Sequence, residues 1–600
     1  MSVLTQSASH GLALSPALTV DGSALPARWT EALLELRVSL ALRTVGRCTL
    51  RFADPGYDLT GERRLAVGRT LEVAARAVPA RSPLTEVFTG RVTSAGVEQR
   101  AGRGAELVVV VEDDAFTLSR TSRAQTYLDQ SYSDVVTALA KGAGVSVRAD
   151  HTGTTHPYLL QADTDLAFID ELARRIGWEW VVDRGTLRFW PSWTRSGRTG
   201  TIGSDVPLAL GDTLEEFGAT VSADAPTEVT VRGWDPVRQQ HISATAAVDR
   251  ASVPAGLTDV FTPDKAGAAS RLWSVDSPVD GTDAATIAAS RANATGTVTA
   301  RGRATVTPAL RPGVLADVTG VGPANGRYYV QEVEHVYRPG GFHTRFTAGD
   351  RPPVHLADAA RGTGGAASSF AHTGLVIGTV TDINDTDGLG RVKVQYSAVS
   401  DVVTSTWARV ASIGAGADRG VVLTPEVGDE VLVGFEGGDA RRAVVLGGLH
   451  GQKDAVPPGA VKDGKVVNRR LTSRLGHVVE LGDGTDAAGQ HVLLALQGAS
   501  HRIRLGKDRA DVEVPSGVPL TVRSGDSTIE MDGKGKLTLS GVTIALKATQ
   551  GIELSGATVE VKGQTKAAVS AANVEVKGSM TAALQGGTTA TIKGGTVQIN

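Results

Sequence analysis

The sequence predicts a mainly β protein built from several domains. Its 600 residues exceed what one hydrophobic core usually organises. With 71 glycines, 4% aromatic residues and three methionines, the composition favours short strands joined by tight turns over a helical enzyme core. The third observation is a repeat of alternating apolar residues at 529–600, and a repeat of this kind decides the architecture.

The repeat consists of ten successive cores that begin every 7 or 8 residues, as in IELSG at 552–556 and VEVKG at 559–563. Positions one and three are apolar and therefore share one face of a strand, while position two points to the other face. Glycine or alanine at position five is expected to supply the turn, through a conformation that β-branched residues resist. The core residues become smaller towards the last core, so we expect a tapering β-helical spike. Its predicted core residues are Ile529, Leu537, Leu539, Ile544, Leu546, Ile552, Leu554, Val559, Val561, Val569, Val574, Val576, Leu584, Ile592, Val597 and Ile599.

The partners of this repeat are not fixed by the residues themselves. A ribbon with two apolar side chains in each core cannot bury its own face. Either one chain winds three walls around a core, or three chains intertwine. A disordered Gly/Thr/Ala-rich tail is compatible with the composition but not with ten apolar pairs in register.

Charge and cysteine content exclude several classes of protein. The 61 basic and 64 acidic residues are interspersed, so no basic face for nucleic acid is predicted. Cys48 is the only cysteine, which excludes an internal disulfide and a cysteine-rich metal site. Residues 1–20 contain neither a basic leader nor a long apolar run, so we expect synthesis in the cytoplasm without a cleaved signal.

A Gly/Ala/Ser-rich linker is predicted at 354–373, followed by a small barrel at 374–452. The barrel segment contains six short apolar runs, among them GVVLTP at 420–425, which we predict to be strands. Its motifs are GRVKV at 390, WARV at 407, PEVGDEV at 425, Phe435, GD at 438 and VLG at 445. Together these motifs resemble the OB-fold domain of phage baseplate spikes and of VgrG, the valine-glycine repeat protein G.

We interpret the motif residues as structural. Gly428 and Asp429 are expected to form a turn, Trp407 to fill the barrel, and Arg409 to pair with a carboxylate. OB-folds can bind oligonucleotides, but this one lacks a basic aromatic face. The complete motif set is Gly390, Arg391, Val392, Trp407, Arg409, Pro425, Gly428, Asp429, Glu430, Phe435, Asp439 and Gly447.

Residues 1–353 contain two strand-rich stretches around a short helical one. Helical periods follow an expected N-cap at Ser133 and another at Thr164. Motifs at 90–92, 161–169, 231–236, 312–313 and 326–330, with Gly177 and His335, resemble the paired β-barrels of phage tail hubs. The predicted domains are thus a hub at 1–353, the linker, the OB-fold, a neck at 453–528 and the spike at 529–600.

The resemblance implies that three chains form a triple-stranded β-helix needle beneath the hub. It implies a homotrimer that seats an inner tube protein and other baseplate proteins, carries a PAAR-like tip protein or effectors, and pierces a target envelope. The chain ends directly after the last core, so Val597, Ile599 and Asn600 are expected to form a blunt platform for the tip protein. The extreme N-terminus is more similar to hubs of phages and extracellular contractile injection systems. A type VI secretion VgrG spike is the main alternative.

No catalytic residue, cofactor or metal is predicted. No GxSxG, HExxH or Walker motif occurs, and the 451–476 segment is too short for an inserted lysozyme. A β-helical polysaccharide-degrading enzyme would need paired acidic residues, whereas the outward glutamates recur singly. Asp382 to Asp387 do not match calcium-loop spacing, so we expect a solvated turn. His477, His491 and His501 could meet symmetry mates around a metal, but packing or solvent-facing roles are favoured.

Overall fold

The computed structural model describes residues 15–77, 82–102, 104–193, 200–222, 226–248, 254–260, 271–294, 296–350, 374–397 and 399–599. The chain forms two compact units, Met1–Ala455 and Val456–Asn600. The prediction of a mainly β fold is confirmed. The predicted linker at 354–373 lies outside the described ranges. In those ranges, no helix has the length and apolar character needed to cross a membrane.

The first strand-rich region folds around an apolar core that contains Trp29, Leu36, Phe52 and Val109. Its strands alternate buried and partly exposed residues, as expected for a sheet with one face on a core. Cys48 lies in this core as a free thiol, and burial raises its pKa. The elements are β1 (Ala17–Val20), β2 (Ser23–Ala24), α1 (Ala27–Ala32), β3 (Leu33–Ala41), β4 (Arg47–Ala53), α2 (Asp58–Glu62), β5 (Thr70–Arg76), β6 (Leu84–Arg100) and β7 (Gly104–Glu112).

A helical insert follows, with its own core around Trp180 and Phe189. Its first long helix begins two residues earlier than predicted, because Ser131 caps it in a reciprocal pair with Asp134. The expected cap at Thr164 is confirmed, since its side chain accepts a hydrogen bond from the Ala167 amide. The elements are α3 (Ala115–Ser119), β8 (Gln125–Ser131), α4 (Tyr132–Gly142), β9 (Ser146–Ala149), β10 (Thr155–Gln161), α5 (Asp165–Ile176), β11 (Trp178–Asp183) and β12 (Thr186–Pro191).

The second strand-rich region has a separate core around Leu208, Val314 and Phe346. Within it, the helix Gly281–Asn293 packs on a three-stranded sheet through small apolar contacts such as Ala288 against Val231. The elements are β13 (Val206–Ala209), β14 (Leu214–Val221), β15 (Glu228–Asp235), β16 (Gln240–Ala247), α6 (Ala255–Val260), β17 (Arg271–Val275), α7 (Gly281–Asn293), β18 (Val298–Thr305), β19 (Leu315–Thr319), a 3-10 turn (Gly322–Ala324), β20 (Gly326–Arg338) and β21 (Gly341–Gly349).

The two strand-rich regions share one hydrogen-bonded sheet. Thirteen strands run in the order β14-β18-β21-β20-β3-β4-β7-β6-β5-β1-β2, with β19 and β13 attached beside β20. The join is the antiparallel pair β3–β20, in which Val38 faces His335 and Leu40 faces Val333. The two hub cores are therefore coupled through a continuous backbone ladder rather than through loops.

The OB-fold is a five-stranded sheet in the order β23-β22-β27-β28-β24. Bridges between Val392 and Ala408 and between Gln395 and Thr404 close it into a small barrel. One predicted strand, at 420–425, is wrong: residues 421–425 form no strand, and Val422 is almost fully exposed. The elements are β22 (Val376–Asp382), β23 (Lys393–Gln395), β24 (Arg409–Val410), β25 (Ala415–Gly416), β26 (Arg419–Gly420), β27 (Glu430–Phe435), a turn (Glu436–Gly438) and β28 (Ala443–Gly448).

The second unit contains short antiparallel sheets followed by an extended segment. A hairpin comes first, then five strands and then three strands, each pairing with its neighbour in sequence. Residues 541–599 contain no helix and no strand. The elements are β29 (Val461–Lys462), β30 (Lys465–Val466), β31 (Asn468–Thr472), β32 (Val478–Asp483), β33 (Gln490–Ala495), a 3-10 turn (Gln497–Ala499), β34 (Arg502–Gly506), β35 (Ala510–Glu513), β36 (Leu520–Ser524), β37 (Ser527–Met531) and β38 (Leu537–Ser540).

Candidate assembly interface

Residues 541–599 contain most of the predicted repeat. No strand of the described chain pairs with them. Bends in the backbone recur at 549–550, 556–557, 564–565, 572, 579–580, 587–588 and 595–596. These bends have the same interval of 7 or 8 residues as the sequence repeat. Each rung thus leaves its backbone N–H and C=O groups without strand partners inside one chain, which is costly unless water or another chain pairs with them.

The glycines of the repeat make its bends possible because they lack a Cβ atom. A Cβ at Gly563 would lie 2.5 Å from Lys566 O, and one at Gly578 would lie 2.3 Å from Thr581 O. Neither glycine adopts a positive φ. Glycine was expected here because it tolerates an unusual backbone conformation, which holds for Gly533 with its φ of +73°. At Gly563 and Gly578 glycine is needed instead because the backbone three residues further on passes close to it.

The predicted spike-core side chains are not buried within one chain. All of the predicted residues from Ile529 to Ile599 are at least 42% exposed, and Ile599 reaches 86%. Asn600 of the expected tip platform lies outside the described residues. A contiguous apolar stripe of this length marks an interaction surface. Packing of these side chains against other copies remains a prediction.

The first two cores of the repeat differ from the other eight. Ser527–Met531 and Leu537–Ser540 pair antiparallel with each other, with Ile529 opposite Leu539. Upstream, Leu520–Ser524 completes the three-stranded sheet. Period-two alternation is the same in a hairpin and in a rung, so it does not reveal which strand is the neighbour. The unpaired repeat therefore begins at about residue 541.

The five-stranded sheet β31–β35 also exposes its apolar face. Leu471, Val479, Leu494, Ile503 and Val512 stand directly opposite one another across the five consecutive strands. Their side chains are 44–59% exposed. A sheet in a self-contained domain buries its apolar face and exposes the polar one, and this sheet does not.

The opposite face of β31–β35 is polar and better buried. Glu480 is only 4% exposed and pairs with Arg470, while His491 Nε2 lies 2.9 Å from Glu480 Oε1. Burial raises the pKa of Glu480, but hydrogen bonds from His491 and Arg470 outweigh it and lower that pKa below the usual range. Arg502 Nε donates to Glu513 at 2.9 Å on the same face. These charges are therefore satisfied inside a single chain.

The three histidines considered for a metal do not form a cluster in the chain. His491 is bound to Glu480, His477 Nδ1 accepts from the Gln497 amide, and His501 Nδ1 lies 3.3 Å from Ser500 Oγ. Across the described ranges, no group of three or more His, Cys, Asp or Glu side chains is placed to hold a metal ion.

The acidic turn of the OB-fold is built around Asp385. Arg391 donates to both Asp385 oxygens, at 2.9 and 2.6 Å, and its Nη2 also reaches Asp387. The Arg391 guanidinium holds the pKa of Asp385 well below its usual range. The turn that we expected to be solvated is therefore held together by Arg391, which donates hydrogen bonds to the carboxylates of Asp385 and Asp387.

Trp407 does not fill the barrel, contrary to the sequence interpretation. Its neighbour Ala408 points inward, opposite the fully buried Val392, so Trp407 points outward. There Lys393 Nζ lies 4.8 Å and Arg391 Cζ 6.0 Å from its ring. Tyr396, which is fully buried, fills the barrel instead, with Phe435 edge-on at 5.8 Å.

The remaining OB motif residues hold turns and strand ends. Gly428 has a φ of +99°, and the Asp429 carboxylate accepts from the Glu426 amide, which confirms the expected turn. Arg409 pairs with the Glu436 carboxylate, as expected. Gly390 also has positive φ, Pro425 precedes the turn, Glu430 opens β27 opposite Thr379, and Gly447 lies opposite Leu432.

The OB-fold is fixed to the hub by arginines that sequence reasoning missed. Arg442 donates to the Trp234 and Pro278 carbonyl oxygens, both at 2.6 Å. Arg441, held by Asp439, donates to the Ser277 carbonyl oxygen at 3.1 Å. The only signal was two adjacent arginines after Asp439 in a segment otherwise short of basic residues.

Apolar contacts from the hub complete this junction. Tyr158 and Leu160 of β10 belong to the OB-fold core cluster, and Tyr158 OH donates to Thr404 O at 2.8 Å. Burial disfavours the charged form of Asp439, but the adjacent Arg441 outweighs this and lowers the pKa of that carboxyl. Hub and OB-fold are thus joined by shared apolar packing and by the hydrogen bonds of Arg441 and Arg442, although the sequence suggested a flexible connection.

Comparison with known proteins identifies the OB-fold directly. Residues 376–450 match the type VI secretion system and phage-baseplate injector OB domain. The chain is 42% identical over 89 residues to the type VI secretion spike protein VgrG5 of Pseudomonas aeruginosa, which is 14% of this chain and 11% of that protein. It is 32% identical over 117 residues to VgrG3 of Vibrio cholerae, 18% of this chain and 11% of that protein. The chain thus spans about a tenth of the length of these curated relatives.

Among solved structures, the chain is similar to a chain of the half-lidded Francisella PdpA-VgrG complex. That chain has a TM-score of 0.48 and 10% identity, with 88% of each chain covered. A type VI secretion component of E. coli has a TM-score of 0.44 and 15% identity, covering 72% of this chain and 99% of that one.

The larger match concerns the hub. Residues 12–338, more than half of the chain, match the Alg8 N-terminal domain. The predicted resemblance to VgrG and phage baseplate spikes is confirmed by the injector OB domain that follows. The protein therefore belongs to the family defined by the Alg8 N-terminal domain, and is a VgrG-like hub-and-spike protein.

Proposed function

We propose that this protein is the trimeric hub and puncturing spike at the tip of the inner tube of a contractile injection system. One observation carries the proposal. An injector-type OB domain is followed, in the same chain, by a long segment whose apolar pairs are exposed and whose backbone has no strand partner among the described residues. Such a segment is a component of an assembly rather than a self-contained domain.

Three copies are the state that the repeat favours. The alternative, in which one chain winds three walls, requires rungs paired with other rungs of the same chain, and 541–599 has no such pairing in the described residues. Three intertwined chains would supply each rung with neighbours on both sides. In the closed needle, backbone N–H and C=O groups would be paired between chains and few strand edges would stay unpaired. This pairing gives the needle the rigidity that puncture requires.

A mechanical rather than enzymatic role fits the outer surface of the repeat. Its glutamates recur singly, and two of them pair with a lysine in the same core of the repeat: Glu560 with Lys562 at 2.6 Å, and Glu575 with Lys577. Glycoside hydrolysis needs two carboxyl groups that flank one bond. A carboxylate already paired with lysine on a solvated ridge serves solubility instead.

The assembly partners follow from this role. The hub seats the inner tube protein and other baseplate proteins, and the needle end around Val597 and Ile599 carries a PAAR-like tip protein or an effector. In this role the protein joins an assembled particle and reaches the target envelope when the sheath contracts. A type VI secretion spike is the second candidate, favoured by the named relatives of the OB domain. Neighbouring genes for tube, sheath and ATPase would identify the machine.

Two measurements test the proposal. Light scattering on the purified chain is expected to give three times 62.1 kDa, and a monomer at micromolar concentration would contradict it. Truncation after Gly541 is expected to leave the tryptophan fluorescence of the hub intact while particles lose injection. Full injection by the truncated protein would remove the puncturing role.

A further inference from the structure

We propose that the five-stranded sheet β31–β35, here named the collar sheet, is where copies of this chain first associate, and that it sets the register of the needle. The inference rests on the proposed trimeric spike and adds an order of assembly to it. The partner that the collar sheet binds is a second copy of this chain.

The collar sheet can form before any partner arrives. Its strands pair antiparallel in sequence order, from Asn468–Thr472 to Ala510–Glu513, so its ladder closes within one chain. Hairpins of this kind need only short loops and form quickly. Residues 541–599 have no strand partner in the described chain and must wait for other chains. The sheet is therefore available first.

The face that it presents is apolar apart from Arg469 and Asp483, which pair with each other beside Leu481. Beside the ladder centred on Leu494, a second ladder joins Leu481, Val492, Leu505 and Ala510 across four strands. Two copies can meet through such faces without placing like charges opposite each other. A face of this size and uniformity on a folded sheet indicates a protein interface.

A second copy is the occupant because the needle requires the same partner. Any chain that pairs with rungs 541–599 carries its own collar sheet just upstream in sequence. The opposite face is unsuited to this contact, since Arg470, Glu480 and His491 already satisfy one another there. The apolar face of the collar sheet is therefore the one that a second copy would cover.

The needle cannot set its own register reliably. VEVKG occurs twice, at 559–563 and at 574–578, so a slip of two rungs places identical cores side by side. Strand register is weakly specified where the pattern repeats. The collar sheet has no such repeat, and its ladder of Leu, Val, Leu, Ile and Val occurs once. Association there fixes which rungs meet below.

Adjacent leucines in one strand provide a matched test in the full-length chain. Leu494 lies on the apolar face and is 46% exposed, whereas its neighbour Leu493 is less exposed and lies on the polar face opposite Glu480. If the sheet served only its own chain, Leu494→Lys would be the milder change. The proposal predicts the reverse: L494K raises the dissociation constant of the trimer by at least about a hundredfold, because lysines would be buried, and L493K leaves it nearly unchanged.

The variant Leu554→Lys in the needle tests whether the collar sheet associates before the needle forms. Sedimentation is expected to show L554K still trimeric, with protease cleavage appearing only within 541–599. Trimeric L494K together with monomeric L554K would overturn the inference, since the needle would then drive association. A milder variant, Ile503→Thr, is measured alongside in case L494K does not fold. A monomeric wild-type chain would contradict the proposed function itself, which distinguishes the two failures.

Discussion

The two units of this protein differ in how far their own chain buries their apolar side chains. In Met1–Ala455 many large apolar side chains, such as those of Trp29, Phe52 and Trp180, are fully buried in cores made by one chain. In Val456–Asn600 the apolar side chains alternate just as regularly, yet they face outward. The difference shows that amphipathic patterning predicts which residues need a partner, but not whether the same chain provides it.

The spike should respond most strongly to a charge placed among its apolar pairs. Ile552→Asp would bury three carboxylates in a closed trimer, at a cost of several kcal/mol for each buried charge. We expect loss of needle structure around this rung, measured by protease sensitivity of 541–599. Glu553→Gln on the outward face is the control and should change nothing. Equal resistance of I552D and wild type would place Ile552 outside any core.

The hub should lose stability when a side chain of its core is shortened, even in a single chain. Phe52 is fully buried and meets Trp29 edge-on, with ring centroids 5.2 Å apart. Phe52→Ala is expected to lower the free energy of unfolding by about 3–5 kcal/mol. All eight tryptophans lie between Trp29 and Trp407, so their fluorescence in urea reports this unit alone. Val67→Ala, at an exposed position, should cost less than about 0.5 kcal/mol.

The comparison becomes sharper at the junction of hub and OB-fold. Arg442→Ala removes two hydrogen bonds from a charged donor to the Trp234 and Pro278 carbonyls, worth about 1.5–3 kcal/mol each at most. We expect the single melting transition of this unit to split into two. Arg409→Ala, which breaks a half-exposed pair with Glu436, should cost about 0–1 kcal/mol. One unchanged transition in R442A would mean that the apolar contacts of Tyr158 suffice.

The smallest expected effect concerns pH. Burial lowers the pKa of His335 to about 4, and its Nδ1 lies 2.9 Å from Thr344 Oγ1. The unfolded chain therefore binds a proton at this site before the folded one does, so stability falls as pH drops from about 6.5 towards 4. His335→Gln should remove about 1 kcal/mol of the stability lost between pH 7 and 5.5. An identical pH slope in both proteins would show that folding does not lower the pKa of His335.

Much of this organisation could be predicted from the sequence, for identifiable reasons. The repeat and the Thr164 cap follow from local chemistry, and the OB motifs combine turns and strand ends that are read along the chain. Contacts between distant segments could not be derived in this way. Nothing near Arg442 points to Pro278, and nothing in the first two cores reveals that Ile529 lies opposite Leu539.

Trp407 shows a further limit. Its size favoured the barrel interior, but the face of a residue depends on strand phase, and Ala408 takes the inward position. Residue size is a weaker guide than the position of neighbours in a two-residue period.

Amide hydrogen exchange of the assembled protein across residues 541–599 tests the central claim most directly. If copies of this chain supply the missing strands, amides between the bends will be protected to a degree comparable with those of β3 and β4 in the hub. Protection should disappear on dilution to monomer, while that of β3 and β4 persists. Rapid exchange throughout 541–599 in an intact trimer would contradict the account.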